Sequence, residues 1–156
     1  IYLPAQHAEH TKSLVQNLNL QRDVVSANMY ANGHTTFHTI INSNIQTANI
    51  AINRIGSDLV IAVQHELNKL QDLNLASIYL DIPIEQPEAA NAYLELENIG
   101  FFWGSWMPNF STKGDILRLQ KIYQPVNVDT IICAREQGEA IKKYVISEWQ
   151  RVSQKQ

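Results

Sequence analysis

Between Thr35 and Tyr123 the spacing of apolar residues changes period from segment to segment, and this alternation restricts the fold more than any single motif. An apolar residue at every second position lines one face of a strand, whereas recurrence about every 3.6 positions lines one face of a helix. Thr35 to Ile41 and Ile45 to Ile55 are β-branched and alternating, and Asn42-Ser43-Asn44 between them predicts a hairpin turn. Leu59, Val63, Leu67 and Leu70 then form one helical stripe behind Gly56-Ser57-Asp58. Ala76 to Ile84 returns to a buried strand through Ile78, Leu80 and Ile82. Pro87 and Glu88 open a second helix with the stripe Ala89, Ala92, Tyr93, Leu96 and Ile99, and Gly100 is placed to close it. Phe101 to Met107 and Asp115 to Tyr123 read as two more strands around a loop at 108–114. A helix between two strands allows a parallel pair, and short links give antiparallel ones, so the expectation is an α/β domain with a mixed sheet. A helix over 4–18 precedes this core, and one over 129–152 follows it, weakened by Gly138.

Composition narrows the class without naming a function. The chain has 156 residues, 45% of them hydrophobic and 17% charged, enough for a single domain with its own core over 1–156. No apolar run is long enough for a membrane span, and a net charge of -3 supplies no field for nucleic acid. The lone Cys133 excludes an internal disulfide. The chain opens on Ile1 with no signal-peptide pattern, and the expectation is a cytoplasmic domain that is a fragment of a longer protein.

Ile78-Tyr-Leu-Asp-Ile, the helix Ala89 to Ile99, and Ile99-Gly100-Phe101-Phe102 together resemble the GNAT (GCN5-related N-acetyltransferase) fold. In that family a buried strand is followed by a helix ending in Tyr-x-x-x-Gly-Phe and then another strand. The resemblance covers most of 35–123. Gly114-Asp115-Ile116-Leu117-Arg118-Leu119-Gln120, with Tyr2-Leu3-Pro4, is also similar to GNAT-like domains that follow an anti-sigma-factor-type (GHKL) ATPase domain in bacterial regulators. That similarity implies an upstream ATPase-like domain or another protein as partner.

The resemblance implies acetyl-CoA or CoA as cofactor, its pyrophosphate held by backbone N–H groups at a Gly-rich turn before a helix. The matching turn spans Asn53 to Asp58, so the cofactor-binding candidates are Ile55, Gly56, Ser57, Asp58 and Leu59. The family pattern Arg/Gln-x-x-Gly-x-Gly/Ala keeps one glycine here, Arg54 is out of register, and Asp58 puts an acid where phosphate would sit. Ser57 or Asp58 could instead cap the helix. The family's acidic Tyr falls on Leu96 and its helix-opening Asn on Ala89, while residues 45–53 hold no carboxylate base. Tyr93, one turn from Leu96, and His38, which shares a strand face with His34, are the substitute catalytic candidates; core packing and a polar strand face are their alternatives.

Metal chemistry finds no pattern. His7 and His10 share a helix face with no carboxylate or Cys pattern beside them except Glu9, and His65-Glu66 lacks the second histidine of a zinc-protease helix because position 69 is Lys69. Lys142, Lys143 and Arg151 mix with Glu139 and Glu148 as a solvated face. In Phe101 to Pro108, alternation puts Trp103 and Trp106 on opposite faces, so one of them faces core and the other a ligand or partner, unless both faces are covered. Gly104 permits a close approach there. Two functions follow: a GNAT-like module with a degenerate acetyl-CoA motif that senses a ligand or binds a protein, or an N-acetyltransferase acting on an unidentified amine.

Overall fold

The computed structural model describes residues 1–155. Helix α1 (Ala5–Asn17) is followed by strands β1 (Thr36–Asn42) and β2 (Thr47–Arg54), helix α2 (Leu59–Leu70), strand β3 (Ser77–Pro83), helix α3 (Ala89–Glu97), strands β4 (Phe102–Ser111) and β5 (Gly114–Ile122), and helix α4 (Glu136–Ser153). The strands form one sheet in the order β1-β2-β3-β5-β4. Among the described strands only β2 and β3 run parallel, joined by α2; the other neighbours are antiparallel. This is the expected α/β class, a mixed central sheet flanked by helices.

The registers divide the sheet into two unlike faces. Ile50, Leu80, Leu119 and Trp103 lie abreast across four strands, each 0–1% exposed. Leu59 and Val63 of α2 and Tyr93 and Leu96 of α3 belong to the same core. On the other face Ala51, Asp81 and Arg118 lie abreast. There Arg118 donates both arms of its fork to Asp81 (2.7 and 2.8 Å), and Asn49 donates to the same carboxylate (3.0 Å).

Three local expectations are corrected. Residues 131–135 are not helical, and α4 begins only at Glu136, because Ile131 and Ile132 lie outside its stripe and are exposed. The second hairpin strand starts at Thr47, since Ile45 belongs to a 3-10 turn that ends with Gln46 in the left-handed region. The segment 108–111 continues β4 instead of forming a loop. Pro108 is tolerated there because β4 is the sheet edge, where a missing N–H breaks no inner ladder.

A shift in register between Trp103 and Ser105 changes the aromatic pattern. The extra residue, Gly104, flips the alternation, so Trp103 opposite Leu119 and Trp106 opposite Leu117 both face the core. The close approach that Gly104 permits is backbone on backbone: a Cβ there would lie 2.9 Å from the Arg118 carbonyl oxygen. Trp106 donates its indole N–H to Asp115 (3.1 Å), which also accepts from the Asn109 N–H and from Arg22. Burial pushes the Asp115 carboxyl up, but these donors outweigh it and hold it below its ordinary value. Asp115→Ala leaves buried donors without an acceptor, and urea unfolding is expected to show a loss of about 3 kcal/mol.

Candidate functional site

The turn between β2 and α2 holds the residues expected from the sequence resemblance to receive a pyrophosphate, and the protein's own groups occupy it. The Ile55 N–H donates to the Gln86 side chain (3.0 Å), the Gly56 N–H to the Thr35 hydroxyl (3.0 Å) and the Ser57 N–H to the Gly33 carbonyl (2.9 Å). The Leu59 N–H donates to the Gly56 carbonyl (3.2 Å). Ile55 and Leu59 point their side chains into the core. Gly56 is present for packing: a Cβ on it would meet the Thr35 nitrogen at 2.2 Å and the His34 carbonyl carbon at 2.3 Å.

Asp58 holds the same segment down. Its carboxylate accepts from the Thr35 N–H (2.6 Å) and bonds to His34 Nδ1 (2.9 Å). These two contacts, the His34 hydrogen bond first, hold its carboxyl down to about 2. Neither Ser57 nor Asp58 caps α2 with its side chain; Ser57 Oγ donates to the Gly33 carbonyl instead (3.1 Å). Arg54, out of register for a ligand, donates to the Asn32 carbonyl (3.3 Å). Residues 32–35 are therefore a strap laid over the turn.

β2 and β3 pair only from Thr47↔Ser77 to Ala51↔Asp81, and their remaining residues diverge. Gln86 bridges that split. Its amide donates to the Asn53 carbonyl (3.0 Å) and accepts from the Ile55 N–H, replacing a strand neighbour for the end of β2. The recess beside the turn measures about 80 Å³ and has Glu88 and Glu95 on its wall, carboxylates that repel a phosphate.

The catalytic candidates do not converge. Tyr93 is fully buried against His7, with ring centroids 4.5 Å apart, on the helix-covered face. Its hydroxyl has no hydrogen-bond partner among the described residues, and burial pushes its ionisation far above the ordinary value. His38 is exposed beside Ala51, on the opposite face. Trp103 and Trp106, expected to offer a ligand or partner surface, are 1% and 8% exposed. Trp103 packs against His7, His10 and Tyr144 instead.

Sequence reading missed a buried ionic cluster joining α3 and α4. Arg151, read as part of a solvated face, donates to Glu97 and Glu148, and Lys155 also donates to Glu97 (2.6 Å). Burial raises the Glu97 carboxyl, but the Arg151 and Lys155 hydrogen bonds prevail and hold it down to about 2. His7, Glu97 and Glu148 lie within 4.8 Å of one another, yet the two cations already neutralise the carboxylates. No local sequence signal pairs these residues, because Arg151 and Glu97 stand 54 positions apart.

The chain matches no protein-family model, and no curated protein matches it. Among solved structures it is similar to a chain in the crystal structure of the NatC complex bound to Gag peptide and CoA. The identity is 19%, the match covers 58% of this chain and 60% of that one, and the TM-score is 0.42. A likeness of that extent carries no function across; the fold class stands on the strand order and registers.

Proposed function

We infer that this GNAT-like domain does not transfer acetyl groups and serves as a ligand-sensing or protein-binding module of a bacterial regulatory protein. The observation that carries the loss of chemistry is the closed turn: the backbone N–H groups of Ile55, Gly56 and Ser57 are all engaged by Gln86, Thr35 and Gly33. A pyrophosphate would have to displace each of these and approach the Asp58 carboxylate. The regulatory context rests on the similarity of Gly114 to Gln120 to domains that follow a GHKL-type ATPase, and it makes an upstream domain of that kind the expected partner. It also fits a cytoplasmic setting; no described helix is long and apolar enough to cross a membrane.

The diverging ends of β2 and β3 favour the second reading, an acetyl-CoA-dependent N-acetyltransferase, which would require Gln86 and the strap to leave. Calorimetric titration separates the two. Acetyl-CoA is expected to give no saturable heat with the native chain up to millimolar concentration. Asp58→Gly is expected to loosen the strap without restoring binding, because Gln86, Thr35 and Gly33 still hold their N–H groups. Micromolar binding by the native chain would establish an open cofactor site and overturn the proposal.

A further inference from the structure

The sheet face away from α2 and α3 carries a cavity of about 440 Å³, within the range of about 300–1,000 Å³ common for small-molecule sites. Three parts of the chain wall it. The sheet supplies Ser77, Phe102 and Gln120; α4 supplies Val145 and Trp149; the segment after β5 closes the side with Val126 and Ile131. Trp149 stacks on Phe102 with ring centroids 5.9 Å apart and planes 12° apart, so a flat aromatic wall forms one side.

The lining also specifies polarity. Lys142 is the one basic group among the described lining residues, and its ammonium already donates to the Ile131 carbonyl (2.6 Å) and faces Glu139 at 4.0 Å. An anionic ligand finds no free counter-charge. The other polar side chains on the lining are Ser77, Tyr79, Gln120 and Gln124. A site walled mainly by carbon, with neutral hydroxyl and amide groups and no free charge, suits an apolar molecule carrying a neutral hydrogen-bonding group.

We propose that the cavity between β3, β4, β5 and α4 binds an uncharged, mainly apolar small molecule, whose one polar group meets Ser77 and Gln120. The proposal deepens the ligand-sensing reading, but it concerns the face opposite the core packed beneath α2 and α3. A negative result here would leave the closed turn as it is, and acetyl-CoA binding would leave this cavity as it is.

N-phenyl-1-naphthylamine, an uncharged apolar fluorophore, is the probe. Titration of the native chain is expected to give a saturable rise in probe emission at one site per chain. Val145→Trp, which fills the cavity, should weaken binding by about tenfold or more, whereas Ile61→Ala, a trim at an exposed α2 position, should leave it within about twofold. The naphthalene sulfonate analogue of the probe should bind more weakly than the neutral form. Hydrogen exchange on the native chain supplies a readout independent of any variant: the probe should slow exchange in 124–131 and 142–149 and not in 26–35. The proposal is overturned by absent saturation, by protection elsewhere, by sulfonate binding as tight as the neutral probe's, or by undiminished binding to a folded Val145→Trp chain. Loss of the site through self-association at rising protein concentration, seen by sedimentation, would overturn it in favour of a dimer contact.

Discussion

Gly56→Ala is expected to destabilise the fold by about 3 kcal/mol, at the upper end of overpacking substitutions, and to lower the thermal midpoint by about 10 °C. The new methyl would sit 2.2 Å from the Thr35 nitrogen, 2.3 Å from the His34 carbonyl carbon and 2.7 Å from the Gly33 carbonyl oxygen. All three are backbone atoms, so no side-chain rotation relieves the clash, and the strap must lift. Lifting it strands the Gly56 and Ser57 N–H groups and removes both strap partners of Asp58. Hydrogen exchange should accelerate in 32–35 and around Gly56, with the β3–β5 ladder little changed. Such a large effect would show that this glycine serves contact within the chain; a change near zero would mean that the strap does not rest on the turn in solution.

Arg151→Met is expected to cost about 3–5 kcal/mol at neutral pH, the range for breaking one side of a buried ion pair. Glu97 and Glu148 are 3% and 8% exposed, and Lys155 reaches only the first of them. The loss should shrink on acidification. Glu97 ionises at about 2 in the fold against an ordinary 4.5, so its contribution is complete above 4.5 and disappears as pH falls toward 2. Without Arg151 only Lys155 opposes burial at Glu97, so the deficit should shrink steadily below pH 4.5, and native and variant stabilities should converge toward pH 2. His7 adds an earlier limb. Burial lowers its ionisation from 6.5 to about 4, despite the raising effect of Glu148, so the unfolded chain takes up a proton that the fold refuses. Stability therefore falls from pH 6.5 to about 4, and His7→Asn should reduce that limb, leaving the part due to His10, whose ionisation burial also lowers. Urea unfolding at several pH values measures both, and a variant whose deficit is constant with pH would contradict the assignment.

Much of the fold is legible because period and punctuation are local. The stripes at Leu59, Val63 and Leu70 and at Ala92, Tyr93 and Leu96 became α2 and α3, and Ile78, Leu80 and Ile82 became the buried face of β3. The aromatic strand was misread because one inserted residue, Gly104, reverses the parity of everything after it, and nothing local distinguishes a bulge from a regular pleat. The candidate site was legible only as a position. Gly56-Ser57-Asp58 marks the turn, but its hydrogen-bond partners come from residues 33–35 and from Gln86, separated from it by 21 to 33 positions.

From composition and periodicity alone follow the α/β class and the succession of strands and helices. These depend on residue types at short spacing. Tertiary structure decided that the strap closes the turn, that Trp103 and Trp106 are core, that Arg151 is an internal counter-ion, and that an apolar cavity opens beside Trp149. Each of those depends on which distant backbone or side chain arrives at a given face, and chain closure over dozens of residues leaves no trace in local pattern.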